Sequence, residues 1–143
     1  MGTRSAGAEV TGDWVAAGIT RFGVWLKDVG AADDFEMHVV IGTSGNMWLY
    51  NAGFVPNTSA WQLFIVDLTQ TANFTQIIGA GGTVTDVLHT VTNVLIRHDK
   101  APYSQTPDDT HGDVGIDRVT LADADTPVER STWGRLKSLY RSR

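Results

Sequence analysis

A chain of 143 residues is long enough for one domain that buries roughly 68% of its unfolded surface. A hydrophobic share of 42% argues against disorder, and the absence of cysteine excludes disulfides, thiolate metal sites and cysteine nucleophiles. The net charge of −5 argues against a nucleic-acid partner, and no apolar run approaches the roughly 18 residues of a membrane span.

Five of the eleven basic residues (Arg130, Arg135, Lys137, Arg141 and Arg143) lie in the last fourteen positions, which leaves the body acidic. Met1 to Ala8 lacks the apolar centre of a signal peptide and reads as a truncated start of something longer. Residues 1–12 are small and polar, a loose lead-in. From Ile19 to Lys27, Phe22, Val24 and Leu26 alternate with Arg21, Trp25 and Lys27, a half-buried strand. After a turn at 28–34, Phe35, Met37, Val39 and Ile41 alternate with Glu36 and His38, which places His38 on the outward side. Gly42 to Gly45 is a hairpin loop, and Asn46 to Asn51 is the returning strand.

Residues 51–59 form a crossing loop with Gly53 and Pro56. Trp61 to Leu68 is apolar on both parities, the mark of a central strand covered on both faces. Phe74 to Ile78 is a shorter strand that Gly79-Ala-Gly-Gly82 ends. At 83–91, Thr83 and Asp86 are spaced as a variant capping box, and Val84, Val87, Leu88 and Val91 make one helical stripe. Asn93 to His98 is a strand, 99–113 a long polar loop, and Val114 to Leu121 the last strand. Short strands without βαβ alternation predict an all-β, antiparallel sandwich over 13–123 with one short helix. Residues 124–143 read as a linker and a basic tail with a short amphipathic helix, Trp133, Leu136 and Tyr140 on one side and Leu139 adjacent. That pattern suits docking or sorting, with a membrane-surface helix or a helix packed on its own domain as the alternatives.

Val87-Leu88, then Val91-Thr-Asn-Val-Leu-Ile-Arg97, then Ile116-Asp-Arg-Val-Thr-Leu121 follow the order of parts in the closing half of a laminin B domain (laminin domain IV). Gly12-Asp-Trp14, Trp48-Leu-Tyr50, Pro56 and the Trp61 strand fall where that family has comparable segments, so the chain resembles it over about 110 residues. Arg118 stands where the family has Asn, and the family domain begins upstream with opening strands that have no counterpart here. The resemblance implies a galactose-binding-like jelly roll in secreted multidomain proteins, without catalytic activity. The tail is similar to the closing tails of bacterial exported proteins.

Several residues are candidates for chemistry. Asp99, Asp108, Asp109 and Asp113 supply the hard oxygens that Ca²⁺ takes, although no EF-hand spacing is present and a solvated acidic loop is the plain alternative. Trp25, Trp48, Tyr50 and Tyr103 are candidates for stacking on a sugar, against the ordinary fate of such rings in a sandwich core. His38, His89, His98 and His111 have no zinc-site spacing, and no nucleophile elbow or phosphate loop occurs. The expectation is a non-catalytic extracellular or cell-surface module for carbohydrate or surface adhesion within a larger assembly. The alternative is a self-assembling structural subunit, a homo-oligomer in which a strand from residues 1–12 or from the tail of a neighbouring chain fills an open sheet edge.

Overall fold

The computed structural model describes residues 2–5 (as backbone), 10–30, 35–109 and 112–123. Among them the strands are β1 (Gly2–Ser5), β2 (Ile19–Asp28), β3 (Met37–Thr43), β4 (Asn46–Tyr50), β5 (Gln62–Asp67), β6 (Phe74–Ile78), β7 (Asn93–His98) and β8 (Val114–Asp123), with helix α1 at Val84–Leu88. They form two antiparallel sheets, one of five strands in the order β1-β7-β3-β4-β6 and one of three in the order β5-β2-β8. The protein is an all-β sandwich with one short helix.

Alternation decides what lies between the sheets. Phe22, Val24 and Leu26 of β2 meet Met37, Val39 and Ile41 of β3, Val94 and Ile96 of β7, and Val66 of β5. Burying each such side chain is worth about 1.5–3 kcal/mol. Phe54 bridges the layers: its backbone pairs with Met37, and its ring stacks on Phe64 at 4.3 Å.

The helix starts as its sequence predicts but stops at Leu88 rather than running to 91, because Val91 pairs its backbone with Gly12 instead. Thr83 N–H donates to Asp86 Oδ2 at 2.7 Å while Asp86 N–H donates to the Thr83 hydroxyl oxygen, a reciprocal capping box. Val84, Val87 and Leu88 enter the core, and α1 packs against β3 and β4. Gly12 and Val91 exchange backbone hydrogen bonds at 2.8 and 2.9 Å, Trp14 N–H donates to Leu88 O, and the Trp14 ring stacks on Phe22. The segment before β2 is therefore stitched to the far end of the helix.

The last strand hides an irregularity. Val24 opposes Val119 and Trp25 opposes Asp117, so Arg118 is an extra residue in a bulge, at φ 44°. A regular strand would send Ile116 and Val119 to opposite faces. The bulge brings Val114, Ile116, Val119 and Leu121 all onto the core.

Four further readings of the sequence change. Gly2–Ser5 is paired with β7, because the ladder edge beyond β7 offers unpaired backbone groups that even a small, polar segment can satisfy. The Phe35 strand begins at Met37, and its hairpin turn contracts to Ser44-Gly45. His38 points outward from the core but is fully buried, because Tyr103 lies over it. The Trp61–Leu68 segment forms β5, an edge strand whose partner is β2, and not a central one. Its second apolar face lies on the outside of the sandwich.

Candidate functional site

The outward face of the three-stranded sheet is assembled row by row from strand register. Trp25 lies between Leu63 and Asp117, Gly23 between Ile65 and Thr120, and Arg21 between Asp67 and Ala122. Gly23 leaves a shallow floor between its neighbours. At one end, Trp61 lies across the sheet so that its ring edge occupies the space where a Cβ on Gly115 would be, only 2.7 Å from that point. Val29 packs into the same place. Trp61 remains 43% exposed and Val29 56% exposed. Trp25, Leu63 and Ile65 are half-buried. The result is an apolar and aromatic platform bordered by Lys27 and Asp117, with open access from solvent.

The outward face of the five-stranded sheet is arranged otherwise. Val40, Met47 and Leu49 form a second cluster, against which Leu95, Ile77, Ile78 and Tyr103 pack. Loop 99–109 closes over part of it. Arg97, fully buried on β7, forms an ion pair with Asp99 and donates to the carbonyls of Ser104 and Gln105, the last at 2.8 Å. Tyr103 packs on the His38 ring at 4.8 Å and donates to Asn51 O at 3.3 Å. The two nitrogens of His38 face Tyr50 O at 2.8 Å and Glu36 Oε1 at 2.9 Å. Glu36 N–H donates to His98 Nδ1 at 3.1 Å, and burial, with Lys100 nearby, pushes the His98 pKa below its ordinary value. Burial, with Glu36 and Asp99 adding to it, raises the Tyr103 hydroxyl pKa. These groups form a polar knot that fastens the loop.

A third feature is an open cleft of about 490 Å³ lined by Thr11, Gly12, Asp13, His89, Thr90, Val91 and Thr92. His89 Nδ1 lies 3.3 Å from Asp13 Oδ1 there. Asp13 also accepts from Ala16 N–H at 2.8 Å, and that hydrogen bond is the main reason its carboxyl sits below the usual range. Both side chains are about half exposed, and the pair joins the turn at 13–17 to the end of α1. It is a surface staple with a local structural role.

The residues singled out from sequence go to different places. Trp25 stands on the platform. Tyr50 is in the core against Phe74 at 5.1 Å, and Trp48 packs beside the core and donates from Nε1 to Asn46. Tyr103 is occupied by the knot. Of the aspartates, Asp99 is held by Arg97, Asp108 accepts from Lys100 N–H, and Asp109 and Asp113 are exposed. Among the described residues no group of three acidic or histidine side chains is placed to hold a metal ion. The docking residues Trp133, Leu136, Leu139 and Tyr140, with His111, lie outside the described residues.

Sequence reasoning missed Trp61 and Gly115 as a pair. The available signal was the doubly apolar pattern of the Trp61 strand, which fits an edge with an aromatic outer face as well as it fits a central strand. Among the described residues no helix is long and apolar enough to cross a membrane. No family model, no curated protein and no solved structure matches the chain.

Proposed function

We propose that this domain is a non-catalytic binding module of an extracellular or cell-surface assembly, and that its ligand face is the Trp25–Trp61 platform, with carbohydrate as the ligand class. The observation that carries the reading is Trp61, 43% exposed and laid over Gly115 on the outside of a sheet. A large ring held in place by the backbone beneath it has little freedom left to lose on binding, and the C–H face of a pyranose packs well on such a ring. Lys27 and Asp117 at the border are suited to sugar hydroxyls. The resemblance to laminin B domains supports the same class, that of a secreted jelly-roll module that acts by contact.

The test is a glycan array followed by calorimetry on the glycans that bind. Trp61→Ala and Trp25→Ala are expected to weaken binding by about tenfold or more each. Gly115→Ala should do the same by pushing the Trp61 ring aside, since the new methyl group would overlap it. Trp48→Ala serves as the contrasting variant and should leave affinity unchanged in whatever fraction folds. A parent protein that binds no glycan, or binding indifferent to Trp25, Trp61 and Gly115, defeats the proposal.

A further inference from the structure

The edges of the two sheets differ in how well they are protected against pairing with another chain. β1 has only four residues, the β4–β6 ladder slips at Met47/Trp48, and β8 carries the Arg118 bulge with Asp117 and Asp123. Short length, irregular register and charge are the usual means of blunting an edge. β5 has none of them. Its pairing with β2 runs without a slip from Arg21↔Asp67 to Leu26↔Gln62. Between the polar ends Gln62 and Asp67 it reads Leu-Phe-Ile-Val, with no Pro, Gly or charge.

The hydrogen-bond phase of β5 says which backbone groups are open. Leu68 N–H donates to Thr20 O at 2.9 Å, and Asp28 N–H donates to Asn57 O on the same side of β2. In an antiparallel ladder such bonds fall on alternate residues, so Gln62, Phe64 and Val66 bond to β2 while Leu63 and Ile65 aim their N–H and C=O groups away from it. Among the described residues nothing else takes those groups up. The outward groups belong to half-buried apolar residues at a sheet edge, a ready template for another strand.

We propose that β5 pairs antiparallel with β5 of a second copy of this chain, about a two-fold axis through Phe64, joining two three-stranded sheets into one of six. The register follows from which groups are open: Leu63 opposes Ile65 of the partner copy, Ile65 opposes Leu63, and the two Phe64 residues face each other. This arrangement sets Asp67 opposite Trp61 and keeps the two Asp67 carboxylates apart, so no like charges are juxtaposed. The two-fold axis is perpendicular to the sheet, so both platforms lie on one side and form a continuous surface. The self-complementarity of β5 favours a second copy as occupant over an unrelated peptide.

Analytical ultracentrifugation across a concentration series, with amide hydrogen exchange, tests this. The parent chain is expected to be a dimer at high concentration. The Leu63 and Ile65 amides should become protected as concentration rises, while Phe64 and Val66 are protected throughout. Ile65→Pro removes a donor that points away from β2, a position an edge strand tolerates, and should weaken association by about tenfold or more. Ile65→Lys, which leaves the backbone intact, should have the same effect, with circular dichroism confirming the fold of each. A parent that stays monomeric, concentration-independent exchange at Leu63 and Ile65, or an oligomer untouched by both variants overturns the proposal. Glycan binding by the parent chain at concentrations low enough to keep it monomeric would leave the binding reading standing on its own.

Discussion

The two outward faces of this sandwich both carry an apolar patch, yet one patch is covered by a loop of the protein's own chain and the other, among the described residues, is not. Over the five-stranded sheet, loop 99–109 brings Tyr103 down on His38, and Arg97 ties the loop to Asp99, Ser104 and Gln105. Over the three-stranded sheet, Trp25, Leu63, Ile65 and Trp61 stand with nothing equivalent upon them among the described residues. An apolar patch on an outer face is therefore not in itself a binding surface. What separates the two is a buried ion pair that converts a polar loop into a lid.

The sharpest way to break this comparison is to cut the lid loose. Arg97→Ala leaves the Asp99 carboxylate buried without its partner and should cost about 3–5 kcal/mol in urea unfolding. Binding of a hydrophobic dye should rise as Val40, Met47 and Leu49 are uncovered. A loss under about 1 kcal/mol, with no dye binding, would mean that the knot does not hold the loop.

Truncating one ring from each face comes next. Tyr103→Ala should cost about 2 kcal/mol, because the ring fills a packed contact, whereas Trp61→Ala should cost about 1 kcal/mol or less because its outer side already faces water. Equal losses in thermal melts would erase the distinction between lid and platform. Thr83→Ala probes neither face and supplies a reference: removing the cap should cost about 1 kcal/mol. If that variant matched the Tyr103 loss, the helix would be coupled to the lid.

Acidification gives the smallest effect and acts on the lidded side. Burial lowers the His98 pKa, and its Nδ1 accepts from Glu36 N–H, so the native state holds the neutral ring. Below about pH 6.5 the unfolded chain binds a proton that the native ring resists, so this contribution to stability falls as pH falls through that range. His98→Asn keeps an acceptor for Glu36 N–H without a titrating ring and should flatten melting temperature against pH between 5 and 7.5. An unchanged pH profile in that variant would assign the dependence to other groups.

Much of the fold was legible because it depends on local rules. The start of the helix follows from Thr83, Asp86 and the stripe of Val84, Val87 and Leu88, and these contacts form as the spacing requires, whereas Val91 leaves the helix to pair with Gly12. The alternation of Phe22, Val24 and Leu26 placed β2 and its inner face. The Trp61 segment shows where such reasoning stops. Alternation reports that both faces of β5 are apolar, but not whether a layer of protein covers the second. His38 is the reverse case, since a polar residue at an outward position becomes buried once a loop sixty residues away folds over it. The candidate site was legible in Trp25 alone, because Trp61 depends on Gly115, more than fifty positions along the chain.

By itself the sequence determined an all-β chain, the limits of most strands, the capped helix and the absence of thiol chemistry, since each of these rests on neighbours within a few residues. Tertiary structure decided which apolar face was closed, which strand became an edge, and how the Arg118 bulge turned Ile116 and Val119 onto one core. The reason is physical. Propensity, capping and alternation act along the chain, whereas coverage and edge position depend on which distant segment comes to rest against a given strand.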